Sequence, residues 1–66
     1  MDKIIDFHVN LLKEHYQNNI SPYDEKIIRE YRDKLIDLQL PYFRSNDREK
    51  FVLLLRKRIE EELGVS

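Results

Sequence analysis

The chain reads as an all-α protein, a small three-helix bundle that associates with copies of itself. Three observations lead there. Apolar residues recur at three- and four-residue intervals in three separate stretches. Helix breakers fall at the ends of those stretches, in Pro22, Pro41 and the single glycine, Gly64. Finally, 66 residues form one domain at most (1–66), in a size range where a lone apolar core is barely sufficient, and with no Cys there is neither a disulfide nor a Cys/His zinc site to make up the deficit. Association is the remaining remedy.

The first helix is expected over about residues 2–17, where Ile4, Ile5, His8, Leu11, Leu12, His15 and Tyr16 share a broad face. The run "NNIS" ends it. Ser21 before Pro22 is a start signal, because the serine oxygen caps a free backbone N–H and proline at the first helical position has none to lose. The second helix is expected over 22–38, with Ile27, Ile28, Tyr31, Leu35 and Leu38 on one side and Asp24 and Glu25 placed to suit the dipole of its first turn. Pro41 stops it. The third is expected over 46–63, opened by a capping-box pattern, Asn46-x-x-Glu49, carrying Phe51, Val52, Leu55, Ile59 and Leu63 as its core stripe, and closed by Gly64.

Charge narrows the function classes. Twelve Lys and Arg stand against thirteen Asp and Glu, and each third of the chain nets to within about one charge of neutral. That distribution supplies neither a basic arm nor an acidic tail, so a dedicated nucleic-acid or membrane surface is not written in net charge. The longest apolar run, "FVLLL", is far too short to span a bilayer, and the opening "MDKIIDFHVN" lacks the unbroken apolar segment of a signal peptide. A cytoplasmic location is expected. The absence of Ala, Thr and Trp beside abundant Ile, Leu, Lys, Asn and Tyr suggests an AT-rich coding sequence, as in low-GC bacteria, their phages or some archaea.

Catalysis finds no foothold. There is no Cys nucleophile, no Gly-rich phosphate loop and no His-Glu metalloprotease spacing, and Ser21 and Ser45 are explained as helix-start residues. The expectation is a non-enzymatic protein, with no cofactor or metal and no small-molecule substrate.

What the sequence does offer is surface. The linker "QLPYFRSN" holds Leu40, Tyr42 and Phe43 where a loop is ordinarily polar. These residues either close the open end of the bundle or, as Tyr42, Phe43 and Arg44, form a partner-binding patch, since aromatics and Arg dominate binding hot spots. Ile36 and Leu53 fall nearly opposite the core stripes of helices 2 and 3 and are expected to form a self-association surface. His8 and His15 share a face of helix 1 two turns apart, too far to grip one metal ion. They are either satisfied within the fold or set in a seam between chains that would weaken below about pH 6.

A basic cluster, Arg44, Arg48 and Lys50 with Arg56, Lys57 and Arg58, raises the alternative of a helix-turn-helix-like nucleic-acid binder using residues 44–58. Two features weigh against it. The link before helix 3 is longer than the three or four residues of that motif. Acidic residues also interleave the bases, so that Arg56/Glu60, Lys57/Glu61 and Arg58/Glu62 are spaced as ion pairs along the helix surface. The leading expectation is a small regulator, adaptor or inhibitor that binds another protein.

Overall fold

The computed structural model describes residues 1–16 and 19–66, and its elements are three α-helices, α1 (Asp2–His15), α2 (Pro22–Gln39) and α3 (Ser45–Leu63), with a 3₁₀ turn at Leu40–Tyr42. The all-α three-helix architecture is as expected. The expected end of the first helix at Gln17 lies outside the described residues; α1 itself closes at His15, and the Tyr16 N–H still donates to the Leu12 carbonyl at 2.9 Å.

The start of α2 follows its sequence signal closely. The Asp24 N–H donates to Ser21 Oγ at 3.1 Å while the Ser21 N–H donates to the Asp24 carboxylate at 3.2 Å, so two otherwise orphaned donors are satisfied reciprocally. The start of α3 does not. It begins at Ser45 with Arg44 as the N-cap, no side chain makes a capping bond, and the Asn46/Glu49 box is absent. Phe43 and Arg44 leave the 3₁₀ turn in extended geometry, so the helix is entered early and Asn46 already lies inside its first turn. Asp47 and Arg48 donate their N–H groups to the Arg44 carbonyl at 2.9 and 3.1 Å.

Pro41 ends α2 less abruptly than expected. The α-helix runs to Gln39 and tightens into the 3₁₀ turn, within which a residue lacking an N–H is tolerated. At the far end of α3, Gly64 takes the left-handed conformation (φ 70°, ψ 22°) and donates its N–H to the Glu60 carbonyl at 2.9 Å. That reversal carries Val65 into the core, where it is fully buried, and brings the Ser66 carbonyl to Arg29 Nε at 3.1 Å.

α3 is the helix on which both others pack. One core cluster joins Ile5, Val9 and Leu12 of α1, Ile28, Leu35 and Ile36 of α2, and Phe51, Leu55 and Ile59 of α3, with Val65 beneath them. Burying side chains of this size stabilises by about 1.5–3 kcal/mol each. The pairings Asp6 with Arg58 and Lys13 with Glu62 advance in the same sense along both helices, so α1 lies parallel to α3. These pairs also displace one of the expected ones: Arg58 and Glu62 reach across to α1 rather than to each other, and of the three spacings along α3 only Lys57 with Glu61 closes, at 3.9 Å, among the described residues. Lys13 holds the Glu62 carboxyl below its ordinary range through a direct hydrogen bond, so part of the acidic end of α3 is matched inside the chain.

The expected surface made by Ile36 and Leu53 is half wrong. Leu53 is exposed, but Ile36 is only 8% exposed and belongs to the core. α2 turns two faces inward: Ile27, Tyr31 and Leu35 line the trough with α1, while Ile36 lies beside Val52 and Arg56 of α3 and shares its helix face with Ile28 and Arg32. Arg32 at the centre of the second face disguises it in the sequence. Its stem is buried among apolar neighbours and its Nε donates to Asp33 Oδ1 at 3.1 Å, so the charge is kept at the edge.

No helix among the described residues is long and apolar enough to cross a membrane. The Cα envelope measures 36 × 19 × 15 Å.

Candidate protein-binding site

Two surfaces collect the apolar side chains that the core leaves out. The first is the turn between α2 and α3. Phe43 is half-buried and its ring lies 4.8 Å from that of Phe51, tilted by 35°, which docks the linker on the core. Arg48, one turn into α3, donates from Nε to the Leu40 carbonyl at 3.0 Å and the Phe43 carbonyl at 3.1 Å. The turn is thereby braced at both ends, and the residue at its apex, Tyr42, is 84% exposed. Leu40 is half-buried against the core and Arg44 is exposed beside the aromatic.

The linker residues divide in their placement. Leu40 and Phe43 close the end of the bundle, and Tyr42 and Arg44 stand out from it. Arg48, a candidate in the nucleic-acid alternative, commits its Nε to the turn carbonyls. Lys50 projects about 160° away from Arg48 around α3, so Arg44, Arg48 and Lys50 do not gather into one basic patch.

The second surface is a trough between α1 and α2. His8 and Tyr31 meet across it with Nδ1 and Oη 2.6 Å apart. On one side of this bridge a concavity of about 140 Å³ is lined by His8, Tyr31, Lys34, Leu35 and Leu38. On the other, one of about 300 Å³ is lined by Leu11, Leu12, His15, Tyr16, Ile27 and Tyr31. Leu11 and Leu38 are exposed members of these linings, and the exposed Phe7 packs edge-on against His8 at 5.1 Å.

His8 is half-buried there, and burial pushes its pKa below the ordinary 6.5. With the imidazole neutral, the Tyr31 hydroxyl can donate to Nδ1. His15 is exposed and packs edge-to-face on Tyr16 at 4.6 Å. The two histidines thus line one trough without forming a pair, and the described residues contain no cluster of three His, Cys, Asp or Glu side chains suited to a metal ion. Sequence reasoning put both histidines on this face but overlooked the exposed Phe7 as part of it.

Comparison with protein families, with curated proteins and with solved structures found no match for the chain.

Proposed function

We propose that the protein is a small binding module, a regulator, adaptor or inhibitor without catalytic activity of its own, which docks another protein through Tyr42. The observation that carries the reading is the contrast at the turn: an almost fully exposed aromatic on a backbone fixed by the Phe43–Phe51 contact and the two Arg48 bonds. Presenting a large side chain from a rigid turn lowers the ordering cost of binding, and Tyr beside Arg is a composition typical of hot spots. Occlusion or bridging of the partner then follows from rigid-body docking, with little change of shape in the module. The nucleic-acid alternative has less support, since Arg48 is engaged with the turn and Lys50 faces away.

The test is capture from an extract of the source cell on immobilised chain, followed by reconstitution of any pair from purified components. Tyr42→Ala should leave the far-ultraviolet dichroism unchanged and weaken the reconstituted complex by about thirtyfold, as a hot spot of about 2 kcal/mol requires. Partners retained equally by wild type and Tyr42→Ala would remove the reading.

A further inference from the structure

The trough between α1 and α2 carries an inference that does not depend on Tyr42. We infer that it is the contact face of a symmetric homodimer, in which α1 packs antiparallel on the α1 of a second copy and α2 antiparallel on the second α2.

The occupant is identified by the order of the side chains along the two lips. On α1, Lys3, Phe7, Leu11 and Glu14 fall on one line of the helix surface, within about 80° of each other at 100° per residue. Reversed against itself about a centre near residue 9, that line places Lys3 opposite Glu14 and Phe7 opposite Leu11. On α2, Ile27, Glu30, Lys34 and Leu38 form a similar line. Reversed about a centre near residue 32, it places Glu30 opposite Lys34 and Ile27 opposite Leu38. Each lip is its own complement, charge against opposite charge and apolar against apolar.

A two-fold axis must pass through both centres at once, and the fold sets them level. His8 bonds to Tyr31 and lines one concavity with Lys34 and Leu38, while His15 and Tyr16 line the other with Ile27. The His8–Tyr31 contact sets residue 9 of α1 level with about residue 30 of the antiparallel α2, and the lining shared by His15 and Ile27 sets it level with about residue 33, so the two centres lie within about 4 Å of a common height. One axis perpendicular to the helices serves both pairs, which is the self-complementarity an isologous contact demands.

The charges are also free to take part. Lys3, Glu14, Glu30 and Lys34 are exposed and enter no ion pair among the described residues, whereas Lys13, Arg58, Asp6 and Glu62 on the opposite flank of α1 are paired within the chain. The exposed Phe7, Leu11 and Leu38 would be covered in the dimer, closing an apolar strip that the α1–α2 contact leaves open.

Sedimentation equilibrium on the full chain tests this. The wild type should show twice the chain mass at micromolar to millimolar concentration. Phe7→Glu/Leu11→Glu should be a folded monomer by circular dichroism, as both sites are exposed. The charges give the sharper reading: Lys3→Glu and Glu14→Lys should each raise the dissociation constant about tenfold by setting like charges against each other twice per dimer. The double variant Lys3→Glu/Glu14→Lys should return it to within about threefold of wild type. A monomeric wild type, a dimer indifferent to Phe7→Glu/Leu11→Glu, or a double reversal that fails to restore association would each overturn the proposal.

Discussion

Individual side chains in this protein divide sharply between holding the fold and facing out of it, and His8 stands on the division. Its ring is half-buried between α1 and α2, bonded to Tyr31, with Phe7 edge-on at 5.1 Å and Lys34 lining the same concavity. Desolvation holds its pKa below 6.5, so the unfolded chain takes up the proton first as pH falls. The stability that His8 contributes is complete above pH 6.5 and is lost on descending from there to the lowered value of the folded state. Urea midpoints measured from pH 7.5 to 5.5 should accordingly fall, and His8→Gln should flatten that decline. The neighbouring contrast of Tyr42 with Phe43 makes the same point for packing. Two adjacent aromatics differ in role because the extended backbone at Phe43 turns only that ring toward Phe51.

At the scale of the element, the helix ends show which local signals are self-sufficient. The box at the start of α2 needs only residues 21–24, all from one short segment, and it forms. That at Asn46 depends on where the preceding turn delivers the chain. The turn delivers the cap position two residues early, at Arg44, under control of Phe51 and Arg48, which lie farther along. Ser21→Ala should therefore cost about 1 kcal/mol of stability, and Asn46→Ala within about 0.5 kcal/mol of nothing, by chemical denaturation. α2 also shows how a helix with two buried faces is misread when a single stripe is sought. Arg32 sits where the second stripe would be recognised, and its long stem packs like an apolar residue while its head reaches Asp33.

For the molecule as a whole, two helices packed on a central third bury a single cluster but leave the α1–α2 trough unfilled, and that is the surplus apolar surface expected of so short a chain. The surplus is displaced from where the sequence placed it. Ile36 is consumed by the core and only Leu53, 61% exposed, remains of that pair. Ile36→Glu should consequently unfold the protein or cost about 3 kcal/mol or more, by placing a carboxylate against α3, whereas Leu53→Glu should change stability by no more than about 0.5 kcal/mol. Thermal melts of the two variants side by side separate a core position from a surface one.

Sequence alone determined the number and type of elements, the capping of α2 and the glycine reversal after α3. Each of these is set by covalent geometry and by hydrogen bonds or apolar spacing within a few residues. Tertiary structure alone decided that α2 presents Ile36 inward, that Arg58 and Glu62 pair with α1, that Val65 joins the core, and that the histidines border an open trough. The reason is physical: a helix wheel orders side chains around one axis, but which sectors lose water depends on how many neighbours pack and from which sides. In a chain this short that is decided by the direction of α1 along α3, which no local pattern specifies.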